Sequence, residues 1–146
     1  MGAFAAILGG MQAHTGVAEV QRQGCLTLGN ICAQHDAAAQ AAADAGALPA
    51  LVAAMQAHPG VANVQTNGCY ALANICSGTD AAGLARKQAA VDAGALPAVV
   101  DALFARWTTE VHSNGCAALA HICSCSDARR TAALQAGALP SWLPPP

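Results

Sequence analysis

Charge is scarce in this sequence. Of 146 residues only six are Lys or Arg and eight are Asp or Glu, a net charge of −2 at pH 7. No basic cluster stands anywhere along the chain. That argues against nucleic acid, whose binding is dominated by cations neutralising phosphates, and against an anionic membrane surface. No apolar run approaches the roughly 20 residues of a spanning helix, and no signal-peptide pattern opens the chain, so membrane insertion is not expected. The opening Met1-Gly2-Ala3-Phe4-Ala5-Ala6 has the glycine for N-myristoylation but alanine where Ser or Thr is favoured. What is present is apolar: hydrophobic residues make up 55%, which is not a disordered composition. Much of that share is alanine, a strong helix former with little burial energy.

One stretch organises the rest: Val61 to Cys76, Val-Ala-Asn-Val-Gln-Thr-Asn-Gly-Cys-Tyr-Ala-Leu-Ala-Asn-Ile-Cys. It occurs once before, from Val17 to Cys32, and once after, ending at Cys123. Aligned on the glycine, the copies share Val20/Val64/Val111, Gly24/Gly68/Gly115, Cys25/Cys69/Cys116, Leu28/Leu72/Leu119, Ile31/Ile75/Ile122 and Cys32/Cys76/Cys123. The intervals are 44 and then 47 residues. An internal repeat of this kind outranks other sequence signals.

At about 100° per residue, the shared residues fall on one side of a helix. Val64, Leu72 and Ile75 lie within about 40° of Gly68, with Cys69 and Cys76 at the edge of the stripe. The opposite side carries Asn63, Asn67, Tyr70 and Asn74. The first copy has Glu19, Gln23, Leu26 and Asn30 there, and the third has Glu110, Asn114, Ala117 and His121. A common apolar face and a variable, mostly polar one suit a stacked array.

Six of the seven cysteines form three i, i+7 pairs. Such pairs sit about 10.5 Å apart along a helix, too far for one disulfide or one metal. They read as small apolar core residues in a reducing compartment, hence the cytoplasm, with the nucleus also compatible.

In chain order, Phe4 to Met11 reads as a short helix and Val17–Cys32 as the first long one. Asp36 is placed to cap the next, through Ala37–Ala45. Ala45-Gly46-Ala47-Leu48-Pro49 recurs as Ala93–Pro97 and Ala136–Pro140. Glycine suits the left-handed residue ending a helix and proline the first turn of the following one, so each pentapeptide predicts a sharp corner. Leu48–Ala57 and Val61–Cys76 complete one unit; Asp80–Ala93, Leu96–Arg106 and Thr108–Cys125 form the next. Asp127 opens a further helix through Ala136, and Ser141-Trp142-Leu143 with three prolines stops the chain. The expected organisation is a single all-α domain over 1–143, with a partial repeat 4–32, repeats 37–77 and 80–125, a partial repeat 127–143, and a proline tail 144–146. Neither end reads as a polar cap, and repeats of this kind cannot bury their faces alone.

Three helices per unit, Gly-Ala-Leu-Pro at the first corner and a long helix ending Ala-Leu-Ala-Asn-Ile resemble the armadillo repeat. The resemblance is closest to Ala/Gly-rich arrays related to the vacuolar armadillo protein, and it covers nearly the whole chain. It implies a right-handed alpha-alpha superhelix, a solenoid whose third helices line a concave groove that binds extended peptides without catalysis. The family's groove asparagine, which clamps a bound peptide's backbone, corresponds to Asn30 and Asn74, with His121 in the third unit. An amide donates and accepts at once, as a peptide bond requires. Importin-type arrays carry tryptophan one turn earlier; here those sites are Leu26, Tyr70 and Ala117.

Other chemistry is weakly signalled. His14, His35, His58, His112 and His121 are scattered, and neither Ser113 beside His112 nor Cys116 near His121 has an orienting third group. No enzyme activity is expected. His121, Cys123 and Cys125 are close in sequence but project in different directions, so no metal and no cofactor is expected. The expected partner is a protein or peptide held as an extended segment. Asn30 and Asn74 would hold its backbone, Tyr70 would pack a side chain, and Gln23, Leu26, Asn67, Asn114 and His121 would tune choice. The alternative is a structural, self-associating fragment whose uncapped ends stack on further repeats or on another copy.

Overall fold

The computed structural model describes residues 2–105 and 108–145. Among the described residues there are nine α-helices, one 3₁₀ turn and no strand. The helices are α1 (Gly2–Ala13), α2 (Ala18–Cys32), α3 (Asp36–Asp44), α4 (Ala47–Ala57), α5 (Ala62–Ile75), α6 (Ala81–Asp92), α7 (Ala95–Ala105), α8 (Thr109–Cys123) and α9 (Asp127–Gln135), followed by the 3₁₀ turn Pro140–Trp142. Helices α3–α5 and α6–α8 repeat one order, and α1–α2 match the second and third members of that order.

Glycine sets the corners. Gly46, Gly94 and Gly137 have φ of 97°, 89° and 103°, where a Cβ is disfavoured. Before each, the last helical turn closes on itself: Gly46 N–H donates to Ala43 O at 3.1 Å and Gly94 N–H to Val91 O at 3.0 Å. The chain then bends by 74° from α3 into α4 and by 67° from α6 into α7.

A second set of glycines allows close crossing. A Cβ on Gly24 would lie 2.5 Å from Met11 Sδ, on Gly68 2.6 Å from Met55 Cγ, and on Gly115 2.6 Å from Leu103 Cδ2. The repeated glycine is therefore the point where each long helix meets the helix before it. Around that point Leu28, Leu51, Leu72, Val99, Leu103 and Leu119 are all fully buried. Buried glutamines brace the same junction. Gln65 Nε2 donates to Met55 O and His58 O, both at 2.9 Å. Gln21 does the same to Met11 O at 3.0 Å and His14 O at 2.8 Å. His112 takes their place in α8.

Several boundaries differ from expectation. α1 begins at Gly2, two residues before Phe4, because the alanines there extend the helix. Asp36 does not cap α3. His35 is the N-cap, with no side-chain bond, and Asp36 is the first helical residue, where its carboxylate faces the positive helix end. Capping by side chains occurs instead at Asp80, Thr108 and Ser126. α8 stops at Cys123. Ser124 is extended and Cys125 adopts φ 59°, outside the helix. Arg106 and Pro146 lie outside the described residues. After the third corner the prolines allow only a 3₁₀ turn. It sets Trp142, 6% exposed, where Leu51 and Val99 stand in the earlier units. Its ring lies 5.0 Å from Phe104 and edge-on to His112. No single described helix is long and apolar enough to cross a membrane.

Candidate functional site

The long helices α2, α5 and α8 pack side by side in that order, so the residues at their outward faces form one continuous strip. Asn30 is exposed, while Leu26, Asn67, Tyr70, Asn74 and Asn114 are half-buried and His121 is exposed. The strip is knitted along its length. Tyr70 Oη donates to Asn30 Oδ1 at 3.1 Å, and the Tyr70 ring covers Gly29, where a Cβ would come within 2.5 Å of Cδ2. Asn74 Nδ2 donates to Gly29 O at 3.0 Å, and Asn67 Nδ2 to Arg22 O at 3.2 Å.

Those bonds bear on two of the expected roles. Asn74, expected to hold a peptide's backbone, and Asn67, expected to tune choice, each give one N–H to the backbone of the preceding long helix. Asn74 keeps its oxygen and second N–H, whereas Asn30 keeps its whole NH₂ group, with no partner among the described residues. Gln23 stands at the repeat position of Asn67 and Asn114 and is exposed. It lies beside Glu19, at 3.4 Å, and lines a depression between α1 and α2.

Electrically the strip is quiet. Arg22 is held by Glu19, with Nε to Oε2 at 2.8 Å, and that pairing pulls the Glu19 carboxyl down to about 2. His121 is exposed at the surface, yet partial desolvation of its ring, reinforced by the nearby Lys87 cation, pushes its pKa below the ordinary value. Its imidazole is then neutral at pH 7, able to donate from one nitrogen and accept at the other.

Sequence reasoning missed the cations that hold the strip's ends. Arg86 and Lys87 are 2% and 1% exposed. Arg86 Nε donates to Ile75 O at 2.8 Å, Nη1 reaches Gln40 Oε1 at 2.9 Å, and Lys87 Nζ donates to Cys76 O. Arg129 repeats this on α8, with Nε to Ile122 O at 2.7 Å and Nη2 to Ser124 O at 2.9 Å. Cations thus satisfy carbonyls left open at the C-termini of α5 and α8. A signal existed: Arg86 and Arg129 each stand eight residues before a corner glycine. Ala38 fills that place in the first unit and hides the pattern.

The thiols are packing groups. Burial pushes Cys25, Cys69 and Cys76 up to about 12 and Cys32 to about 11, so they are protonated at neutral pH. Cys123 is buried with Sγ 3.6 Å from Arg129 O, while His121 and Cys125 are exposed. Among the described residues, no group of three or more His, Cys, Asp or Glu is arranged to hold a metal ion.

No family model matches the chain, and neither does any curated protein. Solved structures do match. An engineered protein known from its crystal structure is similar with a TM-score of 0.79 and 28% identity. The match covers 94% of this chain and 53% of that one, so the chain spans about half the length of the engineered protein.

Proposed function

We propose that the helices form an armadillo-type solenoid and that the strip along α2, α5 and α8 is a non-catalytic docking groove for an extended peptide of neutral, polar character. The observation that carries this reading is Asn30. Its oxygen is engaged by Tyr70 while its NH₂ group is exposed and unpartnered, which leaves a fixed donor for a peptide carbonyl. The Tyr70 ring beside it offers an apolar surface at low entropy cost. Asn74 Oδ1 and the neutral His121 ring extend the same hydrogen-bonding character along the strip. Arg22 is paired and Lys87 is buried, so neither cation is offered to an acidic ligand. Three long helices make a short groove, so affinity is modest unless further repeats add avidity.

Selection of random linear peptides on the immobilised protein tests the reading. Peptides should emerge that bind the wild type and lose about tenfold or more, roughly 1.4 kcal/mol, on an Asn30→Ala/Tyr70→Ala variant that circular dichroism shows to be folded. Equal binding to the variant, or failure to select any peptide, removes the groove.

A further inference from the structure

Each long helix has a leading side, turned to the long helix before it, and a trailing side, turned to the next. In α5 the leading side is marked by Asn67, Tyr70, Ala71 and Asn74, which reach Arg22, Gly29 and Asn30 of α2. The same side of α2 has no helix on it among the described residues. Instead an open depression of about 350 Å³ lies there, lined in part by Ala6, Ile7, Gly10, Val20, Gln23 and Thr27. The repeat reports what the missing cover does: Val64 and Val111 are 0% exposed where Val20 is half-exposed, and Ala71 and Ala118 are 0% exposed where Thr27 is half-exposed.

The opposite end has the matching defect. On the trailing side Gly29 is roofed by Tyr70 and Ala73 is 7% exposed, whereas Ala120, the third copy, is half-exposed. Leu139 stands at the corner position where Leu48 and Leu96 are 2% exposed, yet it is 42% exposed, and Leu134 on α9 is 40% exposed. Among the described residues, the leading side of α2 and the trailing side of α8 are therefore the two members of this interface left uncovered.

We propose that a second copy of this chain supplies both. The leading side of α2 in one copy would stack on the trailing side of α8 in the next, continuing the α2–α5 and α5–α8 interfaces by one step. The occupant is a second copy because one chain carries both halves of that interface, with small residues, Thr27 and Ala120, where the backbones must approach. Such a contact joins unlike surfaces, so it propagates head to tail rather than closing as a two-fold dimer. It borders the peptide groove, because Asn67, Tyr70 and Asn74 mark this same side of α5, and Thr27 and Ala120 are chosen as test positions because neither is a groove residue.

Sedimentation velocity of the full chain over a range of concentrations tests this, beside Thr27→Arg and Ala120→Arg variants. A folded state for each is checked by circular dichroism. The wild type should grow with concentration past the dimer, and each variant alone should stay monomeric. An equimolar mixture of the two variants should form dimers and stop there, because each retains only one live end. A wild type that stays monomeric throughout overturns the proposal, and so does a mixture that remains monomeric. Self-association of either variant alone points to a like-with-like contact and overturns it too.

Discussion

Alkaline pH should unfold this protein through its buried thiols. Cys25, Cys69 and Cys76 have an ordinary pKa of 9.0 and are held at about 12 by burial. The sign follows from where protons bind. Above 9 the unfolded chain releases these protons while the folded chain keeps them, so stability is complete below that pH and falls as pH rises. At pH 10 an unfolded thiol of pKa 9.0 gains a little over ~1 kcal/mol from ionising, and three such thiols about 4 kcal/mol. Cys32, held near 11, adds about as much as each of these. Lys87 opposes them. Burial lowers its pKa from 10.5, so rising pH relieves a buried charge and returns part of the loss. A net loss of a few kcal/mol is a large share of the 5–15 kcal/mol typical of a domain. Urea unfolding followed by circular dichroism, under reductant, at about pH 7.5 and about pH 10 measures it directly. A Cys69→Ala variant should start less stable yet lose ~1 kcal/mol less between the two conditions. Equal midpoints at both pH values in the wild type would refute the reasoning.

Three further substitutions probe the packing and the helix ends. Gly68→Val places a branched side chain where a Cβ already meets Met55 at 2.6 Å, whereas Gly9 has nothing within 4 Å. Gly68→Val should cost ~2 kcal/mol or more, and Gly9→Ala should add ~0.5–1 kcal/mol, both read as urea midpoints. Arg129→Met keeps the stem but strips donors from Ile122 O and Ser124 O. A loss of ~2 kcal/mol is expected, and hydrogen exchange should quicken first at the end of α8.

Local signals in the sequence carried the helical character and the corners. The 44- and 47-residue spacing of Gly24, Gly68 and Gly115 and the repeated Gly-Ala-Leu-Pro are properties of a few neighbouring residues. The backbone obeys them because a left-handed φ and a close helix crossing exclude a Cβ wherever they occur. Chain-local reading also put Asn67, Tyr70 and Asn74 on one side of their helix. It did not reveal which way the two amides turn, because their acceptors are Arg22 O and Gly29 O, 45 residues earlier. Only the folded chain sets Arg86, Lys87 and Arg129 against the open carbonyls of α5 and α8, which make burying a cation tolerable. The three copies of the repeat are nearly alike as sequence. Whether Val20, Val64 and Val111 are wet or dry depends on the neighbour each helix has been given, and that is decided by the tertiary structure.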